Sequence, residues 1–354
     1  MTIVVTVAIC GVHPRVARTK TEQPPRRATD GGLLDEGLAG VAGRAADAWT
    51  WQDAHLPRAG TARDAFDPLG VAAAVVRVAD WQLRQPIRLG PDDWTVAALY
   101  DGLIDASLVT GDPKYLATVV RAGRQEGLQP VPRVYLVDDR PMEHAWLRII
   151  LMDPEAPVLL QTLQDRLTPA PDAPDVTYGD RRTFGDRVRM APPALALLAR
   201  ATRDQRYLQL ADAEFKAAYD ALFDREAKLV YCDARFVDMR TPNGRKVFWS
   251  PCSGWVYAGL ALLLDALPNR YPTRELYARV FRQMTDAVLA TQQPDGFWYP
   301  NLADPKHVPI NETSGSALFL VGLASGARSG LLERATVWPA VERGWRAVAA
   351  RKKK

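Results

Sequence analysis

From residue 68 onward, apolar residues recur at three- and four-residue intervals, and two-residue alternation is nearly absent. The periodic runs cover residues 69–84, 94–109, 113–125, 143–152, 156–166, 193–202, 205–222, 254–267, 273–291, 314–327 and 336–349. Short loops of Gly, Pro, Asp and Asn separate them. Such a pattern confines the chain to the all-α class. Two joints also match. TGDPKYLATVV at 110–120 and TRDQRYLQLAD at 202–212 share T-x-D-x-x-Y-L. Gly111 suits a helix C-terminus, and Asp112 and Asp204 suit the N-cap that follows. Pro113 fits a first helical position, and Tyr115, Leu116, Tyr207 and Leu208 then face the core. The joints begin 92 residues apart, about two helical hairpins of some 45 residues each. About six antiparallel hairpins fill residues 68–350, which predicts a helical array or a closed toroid.

Composition narrows the possible functions. The chain has 354 residues, 47% of them hydrophobic and 24% charged, as in an ordinary globular protein. The net charge of +4 owes much to the Arg351–Lys354 tail, so nothing marks a nucleic-acid surface. Three cysteines (Cys10, Cys232, Cys252) and four histidines show no metal-ligand spacing, and a disulfide framework is not expected. Residues 3–12 are apolar but too short to span a bilayer, and no basic segment precedes them. The expected setting is cytoplasmic, or periplasmic if residues 1–12 are a truncated signal. Residues 1–65 read as a poorly packed leader with one helix near 33–49, residues 66–350 as the folded domain, and 351–354 as a basic tail.

Pro192 and Pro193 belong in the first turn of a helix, where no N–H bond is lost. Asp186 therefore stands just upstream of an apolar helix, on a loop at a helix start. In a toroid such loops line one rim, where binding and catalysis are placed.

Five segments carry a resemblance: DWTVAALYDGL (93–103), FGDRVRMAPPALALL (184–198), GRKVFWSPCSGWVYAGLALLLDALP (244–268), QQPDGFWYPNLADP (292–305) and ETSGSALFLVGLASG (312–326). In this order they resemble the unsaturated uronyl and rhamnogalacturonyl hydrolases of glycoside hydrolase families 105 and 88, over roughly residues 70–350. The resemblance implies an (α/α)6 six-hairpin toroid. It implies removal of a 4,5-unsaturated uronic acid from lyase-generated oligosaccharides by hydration of the C4=C5 bond, with no metal or organic cofactor. Asp186 maps onto the general acid/base. Asp139, with Asp138 beside it, maps onto a second essential aspartate. Trp94, Trp249 and Trp255 match pocket-lining aromatics, whose flat rings suit the apolar face of a sugar. The implied partner is an unsaturated oligosaccharide, with no nucleic acid and no membrane.

The chain also departs from the family pattern. Where W-S-R-G-N-G-W is usual, it has W-S-P-C-S-G-W, so Pro251 stands in place of an arginine. A substrate carboxylate then needs another cation, and Arg140, Arg187 and Arg189 are the candidates. Arg140 is favoured, because an arginine close to Asp186 would lower the pKa of the acid. Cys232, in LVYCDARF, stands where relatives often carry His or Arg and is expected as a buried thiol. His144 is expected at the surface. Simpler roles stand beside these. Asp186 would cap a turn, Asp138 and Asp139 would be a solvated pair, and Trp249 and Trp255 would be core. Two other functions fit the same residues: a direct glycosidase using Asp186 and Asp139, and a non-catalytic glycan-binding relative.

Overall fold

The computed structural model describes residues 64–85, 94–125, 141–152, 157–168 and 185–350. Residues 1–63 of the expected leader, its helix near 33–49 and the basic tail lie outside these residues, whereas Asp64 and Ala65, the leader's last two residues, bond to the folded part. Within them the helices are α1 Pro68–Leu83, α2 Trp94–Thr110, α3 Pro113–Gln125, α4 Pro141–Met152, α5 Pro157–Leu167, the single turn α6 Arg187–Met190, and α7 Pro192–Thr202. They continue with α8 Arg206–Leu222, α9 Ser250–Ala266, α10 Arg274–Thr291, α11 Thr313–Ser329 and α12 Arg334–Ala350. The described β structure is one two-residue ladder, Phe223–Asp224 paired antiparallel with Leu229–Val230, and a few isolated bridges.

The helices fall into two groups by how much of their girth is buried. α2, α7, α9 and α11 are buried nearly all round, whereas α8, α10 and α12 bury one stripe. Packing follows this division. α2 lies on α4, α4 on α7, α7 on α9 and α9 on α11, and α3, α5, α8, α10 and α12 back them from outside. Contacts along the helices give their directions. Asp101 and Asp105 of α2 meet His144 and Arg148 of α4 in the same order. Gly254 and Gly322 lie against Leu318 and Tyr257, so α9 and α11 also run parallel. α2 and α4 thus run parallel, as do α9 and α11, and the Trp94–Trp255 contact brings the N-terminal ends of α2 and α9 to one rim.

The array closes on itself. The Trp345 indole N–H of α12 donates to the Ala65 carbonyl at 2.7 Å, and Arg346 pairs with Asp64. Phe66 packs on Trp338, with ring centroids 5.6 Å apart. One continuous apolar core runs from Val71 to Val348. The described residues thus form the expected all-α fold, and this closure accords with a toroid.

The repeated joint is the same down to its hydrogen bonds. Thr110 and Thr202 bond back to the Ala106 and Leu198 carbonyls and accept from the Asp112 and Asp204 N–H groups. Asp112 and Asp204 accept from the N–H two residues on. The residue between Thr and Asp is left-handed in both, Gly111 at φ +69° and Arg203 at φ +60°. Only glycine takes that conformation without strain. Gly111→Ala should therefore lower stability by about 1 kcal/mol in urea unfolding, whereas Arg203→Gly should leave it unchanged or raise it.

Candidate active site

Three of the sequence candidates, Trp94, Trp255 and Arg189, meet at this rim. Trp94 opens α2 and is 41% exposed, and its ring meets Trp255 of α9 edge-on at 5.4 Å. Trp255 is only 7% exposed, and the Arg189 guanidinium lies 6.0 Å from its ring centroid. Arg189 in turn reaches Asp101, with Nη2 to Oδ2 at 2.5 Å. The wall thus passes from an exposed indole through a buried one to a buried cation.

Asp101 is the centre of a charge cluster. His144 Nδ1 lies 2.9 Å from both of its carboxylate oxygens, and Arg148 Nη1 reaches Oδ1 at 3.1 Å. Arg148 also pairs with Asp105, one turn further along α2. Burial opposes ionisation of Asp101. His144, Arg189 and Arg148 outweigh it and hold the carboxyl far below the usual carboxylate range. For Asp105 burial prevails over Arg148 and raises the pKa. Burial, more than the Asp101 charge can offset, lowers the pKa of His144. A neutral His144 that donates through Nδ1 presents Nε2 as an acceptor.

His144 is thus not the surface residue the sequence suggests, because it sits on the inner side of α4 against α2. Asp101, Asp105 and Arg148 are not singled out from sequence either. One signal was available. Charges spaced by four in otherwise apolar helices, Asp101/Asp105 and His144/Arg148, demand partners on the facing helix.

Asp186 precedes α6, and its carbonyl accepts from the Arg189 and Met190 N–H groups. Its side chain makes no capping hydrogen bond, so the simple capping role does not hold. α6 is pressed onto α9, where a Cβ on Gly259 would lie 2.8 Å from the Arg189 Cα. Arg187 points elsewhere and is held by Glu214 of α8. Trp249, the N-cap of α9, does not join the Trp94–Trp255 pair. It stacks on His307 at 5.9 Å and meets Phe236 edge-on at 6.2 Å. Pairing of residues 248–250 with 300–302 fixes it there. Asp138, Asp139 and Arg140 lie outside the described residues. Cys232 is not a free thiol. It is disulfide-bonded to Cys252 in the first turn of α9, with their Cα atoms 5.2 Å apart. Their 20-residue separation carries no recognisable spacing signal.

The cluster makes a pH-dependence testable. The unfolded chain takes up the His144 proton near its ordinary pKa of 6.5, whereas the buried, depressed imidazole of the native state resists it. Stability should therefore fall as pH drops below that value, by up to about 1.4 kcal/mol per pH unit. Thermal unfolding between pH 7.5 and 5.5 should show this slope for the wild type and a flatter one for His144→Gln.

Comparison with known proteins identifies the family and the fold. Residues 74–354 match the family described as Glycosyl Hydrolase Family 88. An unsaturated 3S-rhamnoglycuronyl hydrolase from Formosa agariphila is 32% identical over 297 residues, covering 79% of this chain and 79% of that protein. A solved structure titled as a polysaccharide lyase is 27% identical at a TM-score of 0.69, covering 79% of this chain and 84% of that one. A solved family 88 glycosyl hydrolase from Bacteroides vulgatus is 23% identical with the same TM-score of 0.69 and the same coverages.

Proposed function

As the chain belongs to Glycosyl Hydrolase Family 88, we propose that it removes a 4,5-unsaturated uronic acid from the non-reducing end of an oligosaccharide. The rhamnoglycuronyl class named for its Formosa agariphila relative is the substrate class we favour. The observation that carries this reading is the wall that runs from Trp94 through Trp255 to Arg189. A half-planar uronate ring has an apolar face for an indole and a carboxylate for a guanidinium. The N-terminal ends of α2 and α9 meet at the same rim and favour an anion there.

Asp186 is the general acid/base. It delivers a proton to C4 while water adds at C5, and the hemiketal so formed opens to release the next sugar. Asp139 is its partner carboxylate, with Asp138 beside it, as the resemblance implies. Arg189, rather than Arg140, reads the substrate carboxylate. Its Nη1 is buried with no hydrogen-bond partner among the described residues, next to the Trp255 face. Arg187 is committed to Glu214 and takes no part. The cofactor-free chemistry needs only these side chains and water. The Cys232–Cys252 disulfide favours an oxidising compartment over the cytoplasm.

The test follows the ultraviolet absorbance of the substrate double bond. Incubation with lyase-generated unsaturated oligosaccharides should lower it, whereas a lyase acting on intact polysaccharide would raise it. Asp186→Asn should reduce kcat by about 100- to 10,000-fold with the fold intact. Arg187→Ala should match wild type, and Arg189→Ala should lower kcat/KM by roughly ten- to a hundredfold. Wild-type inactivity with retained glycan binding would point to the non-catalytic relative instead.

A further inference from the structure

The disulfide lies where three pieces of chain meet around the acid. Cys232 ends the segment that follows the short ladder, and Cys252 lies in the first turn of α9. The third piece is the turn that carries Asp186. The Gly185 N–H donates to the carbonyl of Cys232 itself, at 2.9 Å. Gly185 is wedged between the two elements that the disulfide joins. A Cβ there would lie 3.1 Å from the Tyr231 carbonyl oxygen, 3.2 Å from Val230 and 3.5 Å from Val256 of α9. One other tie links the same elements, the Ser253 hydroxyl donating to the Val230 carbonyl at 3.1 Å. Beyond Cys232 the chain enters a single 3₁₀ turn capped by Asp233, and then a loop, before it returns at α9.

We propose that the Cys232–Cys252 disulfide is a positioning device for Asp186, fixing through the Gly185 hydrogen bond the turn from which the acid projects. Proton delivery to a carbon tolerates little displacement of the donor, and a shift of about 1 Å in a reacting group can cost a hundredfold in rate. The covalent bond holds the acceptor carbonyl against α9, and α9 also carries Trp255. Acid and sugar-stacking wall are thereby kept in one frame. Cys232 and Cys252 are positioning residues and do not touch substrate.

The experiment compares the oxidised enzyme with enzyme treated with dithiothreitol. The S–S bond then becomes two thiols, and the reagent closes to its cyclic disulfide. Denatured oxidised protein should titrate one thiol, Cys10, of the three cysteines in the chain. Three thiols in untreated protein overturn the proposal. On reduction, exchange of backbone amide hydrogens in the peptide spanning residues 183–190 should quicken roughly tenfold or more, while peptides of α11 stay unchanged. On an unsaturated uronide, kcat should fall about tenfold with KM within about twofold, and re-oxidation by oxidised glutathione should restore it. Cys232→Ser/Cys252→Ser should behave as the reduced enzyme and not respond to reductant. A reduced enzyme with a lower melting temperature but unchanged kcat and unchanged exchange at 183–190 makes the bond a stabilising staple only and refutes the positioning role. Because Asp186 acts as acid only under the hydrolase reading, an inactive oxidised enzyme would overturn that reading. The exchange measurement would still decide the fate of the disulfide.

Discussion

The architecture of the rim depends on one buried carboxylate. Asp101 sits on an inner helix with almost no solvent, and it is shared by His144 and Arg148 from α4 and by Arg189 from α6. An isolated ionised carboxylate in such a place is prohibitively unfavourable, and a partnered one is tolerable only while every partner stays in position. α2, α4 and α6 are therefore located relative to one another by electrostatics more sharply than apolar packing would locate them. α6 has a single turn and no core of its own, so the Arg189–Asp101 pair and the close seat against Gly259 give it a fixed place. Asp186 precedes that turn, so the pair fixes the C-terminal side of its segment while the Gly185 hydrogen bond to Cys232 holds the N-terminal side.

Much of this was legible in the sequence, because helices announce themselves by periodicity. The eleven runs read from apolar spacing correspond to the long helices within a few residues at each end, and the T-x-D-x-x-Y-L joints recur with the same bonds. Single-turn α6 escaped, since four residues carry no period. The charge cluster escaped for a different reason. Pattern reading assigns a charged residue to the solvent side by default, and whether His144 or Asp101 is inside depends on which helix faces α2. That is a property of tertiary order, and the sequence alone does not state it. Trp94 and Trp255 are reached through the resemblance, whereas the meeting of Arg189 with them, and the sharing of its charge by Asp101, are properties of tertiary order.

The altered W-S-P-C-S-G-W stretch has a similar lesson. Read linearly, it is a loss: an arginine gone and two unrelated residues in its place. In three dimensions Cys252 meets Cys232, which the resemblance also sets apart from the family pattern. Two substitutions that look independent form one covalent feature. Pro251 fits the same picture, since it lies within the first turn of α9, where a missing N–H is harmless.

The closure between α12 and the segment before α1 has a consequence for how the molecule comes apart. An open stack of hairpins has two terminal repeats, each with one neighbour, and it frays from those ends. Here Trp345, Trp338 and Arg346 give α12 a second neighbour, so among the described residues neither end of the stack is left with one neighbour alone. The seam itself is thin, built from an indole hydrogen bond, an aromatic contact and an exposed ion pair. Such a ring behaves like a bracelet with a clasp: the hairpins hold together as a unit while the clasp is shut. Once it opens, each hairpin next to the gap loses a neighbour and the loss passes round the ring.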